Sequence, residues 1–87
     1  MRITFTEAGW EDYLWFLEHD RKLVKRINLL IKDACRTPFS GIGKPEPLNG
    51  DLSGFWSRRV TDEHRLVYSA TASELIIATC RFHYDND

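Results

Sequence analysis

The stretch D-R-K-L-V-K-R-I-N-L-L-I-K-D-A-C-R-T-P, Asp20 to Pro38, decides the fold. Leu23, Val24, Ile27, Leu30, Ile31 and Ala34 fall in helical phase, so one face of the segment is apolar and has to be covered. Asp20 stands just before the first periodic residue, where its carboxylate can accept from the open amides of a first turn. Lys32 and Arg36 place positive charge near the far end, where the helix dipole favours it. Pro38 disfavours helical geometry at Thr37, and the helix is predicted to stop there.

Working outward, Trp10, Tyr13, Leu14 and Leu17 repeat at i, i+3, i+4 and i+7 and predict an earlier helix of about three turns. Thr6 suits its N-cap, and Glu7, Glu11 and Asp12 put negative charge in its early turns. Asp20 follows this helix so closely that the two should form a helical hairpin with both stripes on one core. Before them Arg2 to Phe5 alternates polar and apolar, the pattern of a short strand.

On the other side, Phe39 to Leu52 reads as loop, broken by Gly41, Gly43, Pro45, Pro47 and Gly50. Pro45 and Pro47 stiffen the backbone on either side of Glu46. Phe55 to Thr61, Arg65 to Ser69 and Glu74 to His83 are rich in β-branched and aromatic residues and are separated by turn signals. They predict an antiparallel meander. The order β-α-α-β-β-β therefore specifies an α+β domain, two helices on one face of a small, mostly antiparallel sheet whose other face stays open. Alternation in the last strand groups Thr79, Arg81 and His83 against Ala78, Cys80, Phe82 and Tyr84. Which group meets solvent stays open, because a bulge near the strand end inverts the parity.

At 87 residues the chain is expected to be one domain, residues 1–84, followed by a short acidic tail at 85–87. A domain of this size buries only roughly 60 to 65% of the surface its unfolded chain exposes. Its 43% hydrophobic content is globular in character, and three Trp with five Phe supply large core side chains. No apolar run approaches the ~18 residues a membrane span needs, and no signal-peptide layout opens the chain, so a cytoplasmic protein is expected. Cys35 and Cys80 have no CxxC spacing and read as reduced thiols. His19, His64 and His83 lack zinc-ligand spacing, and there is no GxGxxG, P-loop or GxSxG, so no metal or other cofactor is expected. A formal net charge of -1 argues against a protein that coats nucleic acid. Acids dominate the first helix, whereas Arg58, Arg59, Arg65 and Arg81 come later, and that distribution leaves room for a local cationic face.

The segment from Lys44 to Tyr84 collects the residue types of metal-free RNA cleavage: a loop glutamate, arginines, a histidine and a tyrosine. Such cleavage must deprotonate a 2′-hydroxyl, stabilise a phosphorane-like transition state and protonate the departing 5′-oxygen. Taken singly the residues have ordinary readings. Glu46 fits a solvated loop carboxylate, His83 a packing or surface residue, Arg65 an exposed partner of Asp62 or Glu63, and Trp56 a buried ring. Arg58 and Arg59 are adjacent in a strand and point to opposite faces, so at most one serves a given site directly.

Taken together, several runs resemble one family. Thr37-Pro38-Phe39, Gly43-Lys44-Pro45-Glu46-Pro47-Leu48, Leu52-Ser53-Gly54-Phe55-Trp56-Ser57-Arg58-Arg59, Glu63-His64-Arg65-Leu66-Val67-Tyr68 and Cys80-Arg81-Phe82-His83-Tyr84 are similar, in that order, to the YoeB/Txe toxins of the RelE superfamily. The resemblance extends through Trp10 to Leu17 and Val24 to Asp33. It implies a microbial-ribonuclease-like fold and an endoribonuclease that cuts messenger RNA in the ribosomal A site without a metal, leaving 2′,3′-cyclic phosphate and 5′-hydroxyl ends. By the same resemblance Glu46 is the general base, Arg65 the transition-state stabiliser and His83 the general acid. Arg59 holds phosphate and Tyr84 positions the RNA. The implied partners are a cognate antitoxin of the YefM/Axe kind, the ribosome with its mRNA, and often a second toxin copy. Two features depart from the family pattern. Asn49 stands where a basic residue is frequent, so one supporting cation is either missing or replaced by Lys44, and Asp85-Asn86-Asp87 follow the usual terminal tyrosine.

Overall fold

The structure, a computed structural model, describes residues 1–82. His83, Tyr84 and the 85–87 tail lie outside the described residues. Strand β1 (Arg2–Phe5) leads into helix α1 (Glu7–His19) and helix α2 (Arg21–Arg36). The caps are those the local sequence predicts. The Thr6 hydroxyl accepts from the Gly9 amide at 3.0 Å, and the Asp20 carboxylate accepts from the Leu23 amide at 3.3 Å. Asp20 also closes α1, because its own N–H donates to the Phe16 carbonyl at 2.8 Å. One residue thus ends one helix and starts the next, which makes the hairpin tight. Thr37 ends α2, its N–H bonded to Asp33 O at 2.9 Å.

After the hairpin come β2 (Glu46–Pro47), a 3₁₀ turn at Gly50–Leu52, β3 (Trp56–Arg59), β4 (Arg65–Ala70) and β5 (Glu74–Thr79). They form a five-stranded sheet in the order β1-β5-β4-β3-β2. The meander β3-β4-β5 is antiparallel as predicted, and β1 joins it parallel to β5. The loop reading of 39–52 missed β2. Two residues, one of them proline and preceded by another, carry no strand pattern of their own, and the pairing of Glu46 with Ser57 and Pro47 with Trp56 comes from β3. Proline is tolerated there because β2 is an edge strand.

Helices cover one face of the sheet. Phe16, Ile27, Leu30 and Ala34 meet Leu66, Tyr68, Leu75 and Ile77, all fully buried. Gly9 lets α1 approach β5, since a Cβ there would stand 2.5 Å from the Ile77 carbonyl oxygen. Opposite β4, Tyr68 pairs with Ile77 but Val67 pairs with Thr79, so Ala78 is an extra residue and β5 carries a bulge. The bulge moves Thr79 to the open face, and β5 ends there rather than running on to His83 as the sequence pattern suggested; Cys80, just beyond it, is fully buried. No helix among the described residues is long and apolar enough to cross a membrane.

Candidate active site

Directly opposed residues in a sheet share a face, as do residues two apart on one strand. Glu46 opposes Ser57, Ser57 opposes Val67, and Arg59 opposes Arg65, so Glu46, Ser57, Arg59 and Arg65 all lie on the face turned away from the helices. With Lys44 they line a polar pocket of about 140 Å³. Of the six residues expected at the site, the structure brings four together here: Lys44, Glu46, Arg59 and Arg65. His83 and Tyr84 fall outside the described residues.

Each side chain is set by its neighbours. Arg59 closes β3, and its backbone N–H donates to the Gly43 carbonyl at 2.7 Å, which ties the loop before Glu46 to the strand. Lys44, next along that loop, has φ 52°, a left-handed conformation that costs a non-glycine residue about 1 kcal/mol or more. The Arg65 guanidinium donates to the Thr61 carbonyl at 2.8 Å. The acids of the β3–β4 turn are engaged elsewhere: Asp62 lies 3.5 Å from Arg59, and Glu63 lies 3.6 Å from His64 Nε2. Among the described residues Arg65 therefore has no carboxylate within 4 Å, and the turn ion pair that ordinary reading suggested for it is not formed. The Arg59–Asp62 contact is weak in kind, because Asp62 is almost fully exposed.

Arg58, adjacent to Arg59, turns the other way and is fully buried. Its guanidinium donates to Asp33 Oδ2 at 2.6 Å, to the carbonyls of Thr37 at 2.6 Å, Ser40 at 2.8 Å and Ile42 at 3.2 Å, and to the Tyr68 hydroxyl at 2.9 Å. Tyr68 in turn donates to Pro38 O at 2.6 Å. The hydrogen bond from Arg58, with that from the Ile42 amide, holds the Asp33 carboxyl below the usual aspartate value; burial pushes the Tyr68 phenol above its own. Gly41 passes this knot at φ 118°, and a Cβ there would overlap Asp33 Oδ2. The glycine-rich loop is thereby strapped to α2 and β3. That strap delivers Lys44 and Glu46 to the pocket.

A second support comes from His64, which is buried against Phe16, their ring centroids 5.1 Å apart. Its Nδ1 accepts from the Phe82 N–H at 2.7 Å, while the Phe82 carbonyl accepts from the Arg65 N–H at 3.1 Å. Nδ1 must be unprotonated for that bond, which assigns the proton of the neutral ring to Nε2. Phe82, the residue covalently joined to His83, is held to the backbone of Arg65. Arg81 does not enter the pocket; its guanidinium lies 3.7 Å from the centroid of the Trp15 ring.

Sequence reasoning missed Ser57, which lines the pocket, and the structural part of Arg58 and His64. Period-two alternation through Arg59 would have found Ser57. Nothing local distinguishes a buried arginine from an exposed one. A larger groove of about 560 Å³, lined chiefly by Ile3, Phe5, Trp10, Tyr13 and Ile31, is apolar and separate from the polar pocket.

Residues 5–84 match the family described as YoeB-like toxin of bacterial type II toxin-antitoxin system. Toxin YoeB of Synechocystis sp. is 63% identical over 84 residues, covering 97% of this chain and 98% of that protein. The YoeB/ParE toxin structure from Agrobacterium tumefaciens superposes with a TM-score of 0.93 at 50% identity, covering 97% of this chain and all of that one. YoeB of Staphylococcus aureus, 46% identical, has been solved as a dimer (TM-score 0.90) and in a heterotetrameric complex with YefM (TM-score 0.89). Each S. aureus match covers 97% of this chain and 98% of the other.

Proposed function

This chain belongs to the YoeB-like toxins of bacterial type II toxin–antitoxin systems, and we propose that it acts as a ribosome-dependent endoribonuclease that cuts mRNA in the A site. The observation that carries the proposal is the shared pocket of Lys44, Glu46, Ser57, Arg59 and Arg65. A carboxylate facing two arginines that oppose each other across a strand pair suits a phosphodiester next to a hydroxyl.

In the proposed reaction Glu46 takes the proton of the 2′-hydroxyl, and that oxygen attacks the adjacent phosphorus. Charge builds on the non-bridging oxygens, where Arg65 binds it and Arg59 with Lys44 hold the neighbouring phosphate. The P–O5′ bond breaks as His83 gives its proton to the leaving oxygen, and Tyr84 positions the RNA. The products are a 2′,3′-cyclic phosphate and a 5′-hydroxyl. A positioned acid or base contributes ~10² to 10⁴ in rate, and an aimed charge donor a factor of ~10² to 10³. The arginines supply the positive charge, so the mechanism calls on no metal. As the S. aureus YoeB structures support, the chain is expected to pair with a YefM-like antitoxin and with a second copy of itself.

The test is incubation with translating ribosomes in EDTA, followed by mapping of the RNA ends. Cyclic-phosphate ends at A-site codons are expected, and the double change Glu46→Ala with His83→Ala should abolish them. Cleavage that survives the double change sinks the residue assignment. Ribosome binding without any cleavage would make the protein a binding module instead.

A further inference from the structure

Ser57 lines the polar pocket yet has no part in the reaction above. Only 7% of it is exposed, whereas Lys44, Glu46 and Arg59 are exposed and Arg65 is half-buried, so Ser57 forms the floor of the pocket and the charged groups its rim. Among the described residues three polar or charged side chains are buried: Ser57, Arg58 and His64. Arg58 and His64 are both hydrogen-bonded within the protein. The Ser57 hydroxyl, which can give one hydrogen bond and accept two, has no partner among the described residues. A buried polar group left over in this way calls for a function.

Strand β3 puts that hydroxyl between the carboxylate and the arginines. Glu46 is directly opposite Ser57 on β2, and Arg59, two residues along β3 on the same face, is directly opposite Arg65 on β4. Opposed side chains stand ~4.5 to 5.5 Å apart at Cβ, and same-face neighbours along a strand are about 7 Å apart. A phosphodiester whose 2′-hydroxyl rests on Glu46 and whose non-bridging oxygens reach Arg65 therefore passes over Ser57. Val67, opposite Ser57 on β4, offers no polar group there. The arginines are also partly committed, Arg65 to the Thr61 carbonyl and Arg59 to Asp62. Serine suits the position: it is short enough to leave the pocket open, and its neutral hydroxyl does not compete with Glu46 for a proton.

We infer that Ser57 is a further substrate-binding residue of this pocket, its hydroxyl donating from the floor to a non-bridging oxygen of the phosphate under attack. This rests on the endoribonuclease reading above. Ser57 keeps its own proton throughout. The 2′-hydroxyl gives its proton to Glu46, the O2′–P bond forms and the P–O5′ bond breaks. A non-bridging oxygen is favoured over the 2′-oxygen as the acceptor, because a donor aimed at the attacking oxygen ties up the lone pair that forms the new bond. At a non-bridging oxygen the same hydrogen bond strengthens as charge builds, so it lowers the barrier.

The experiment compares the chain with Ser57→Ala in single-turnover cleavage on programmed ribosomes. The message carries either an ordinary phosphate or one phosphorothioate diastereomer at the linkage to be cut. Sulfur accepts hydrogen bonds poorly, so one of the two diastereomers should slow the unaltered chain. Ser57→Ala should cut ordinary message about 10²-fold more slowly and lose no further rate with that diastereomer. Its melting temperature should match the parent's, because no side-chain bond among the described residues is removed. Cleavage of ordinary message at the parent's rate overturns the inference. So does a phosphorothioate effect as large in the variant as in the parent, which a purely structural part for Ser57 would give. Adenosine 3′-phosphate is titrated against both proteins by NMR, and Ser57→Ala should bind it about tenfold more weakly, the worth of one neutral hydrogen bond. Equal affinity overturns the inference as well. If the unaltered chain cuts no message, the enzyme reading fails, while the adenosine 3′-phosphate titration still decides this one.

Discussion

Arg59 and Arg65 stand directly opposite each other, the last residue of β3 against the first of β4. Like charges in that relation destabilise a sheet, and only Arg59 has a carboxylate within reach among the described residues. The pair is therefore set for an anion. Arg65→Ala should leave the melting temperature in low salt unchanged or higher, and should abolish most of the stabilisation that pyrophosphate gives the unaltered protein. Cleavage should fall by ~10² to 10³. A variant that melts well below the parent in low salt, yet keeps cleaving, contradicts this account.

Arg58 predicts the opposite pattern. Truncating it removes the guanidinium that Asp33 and the carbonyls of Thr37, Ser40 and Ile42 share, and leaves Asp33 with only the Ile42 amide. Arg58 is fully buried but Asp33 is 22% exposed, so losing the guanidinium's buried hydrogen bonds costs about 1 to 3 kcal/mol. Chemical denaturation of Arg58→Leu should show a loss of that order. An effect below 1 kcal/mol would mean that the loop does not depend on the guanidinium.

Asp33 governs the acid limb of stability. Its folded-state pKa lies below the unfolded value near 3.8, chiefly through the hydrogen bond from Arg58. More protons bind the unfolded chain, so this contribution is full above the unfolded value and is lost as pH falls through the folded one. Asp33→Asn should flatten stability against pH below about 4, the range in which unfolded aspartate titrates. Parallel acid curves for the two proteins would remove Asp33 from the account.

His64 is expected to act through Phe82. His64→Phe removes the acceptor of the Phe82 N–H, whereas His64→Asn keeps an oxygen near the position of Nδ1. If the bond positions His83, the phenylalanine variant loses about tenfold or more in turnover with little change in KM, and asparagine restores much of it. Equal turnover in the two variants would show that the bond serves stability only.

Cys80 should be inert. Burial, with a smaller effect from Asp12, pushes its thiol up to about 12, and the side chain is fully covered. At pH 8 only about one part in ten thousand is thiolate, against a quarter or so for a free thiol. Iodoacetamide followed by mass spectrometry should modify the half-exposed Cys35 first and Cys80 only on unfolding. Modification of both at one rate would contradict the buried placement.

What could be seen in the sequence follows from the range of each interaction. Thr6, Asp20 and Thr37 bond to residues three or four positions away, so the caps and helix limits were written locally. The meander was visible for the same reason, its turns being short. β2 was not, because it exists only through pairing with β3. Neither was the bulge at Ala78, a matter of register between two strands. The site lay between these cases. Residue types and family order pointed to Glu46, Arg59 and Arg65, but their convergence depends on the pairs Glu46–Ser57 and Arg59–Arg65. Arg58 differs from Arg59 only in facing the helices, and its neighbours in sequence do not announce a buried cation.

The strand order also sets a sequence of events in the making of the protein. β1, first to be synthesised, has β5 as its sole ladder partner among the described residues, and β5 is the last of the five strands to be made. Leu75 and Ile77 complete a core that the earlier residues leave uncovered. A growing chain therefore holds Lys44, Glu46, Arg59 and Arg65 in its translated part before the sheet beneath them can close. Any product that stops short of β5 carries these four residues without the fold that aims them.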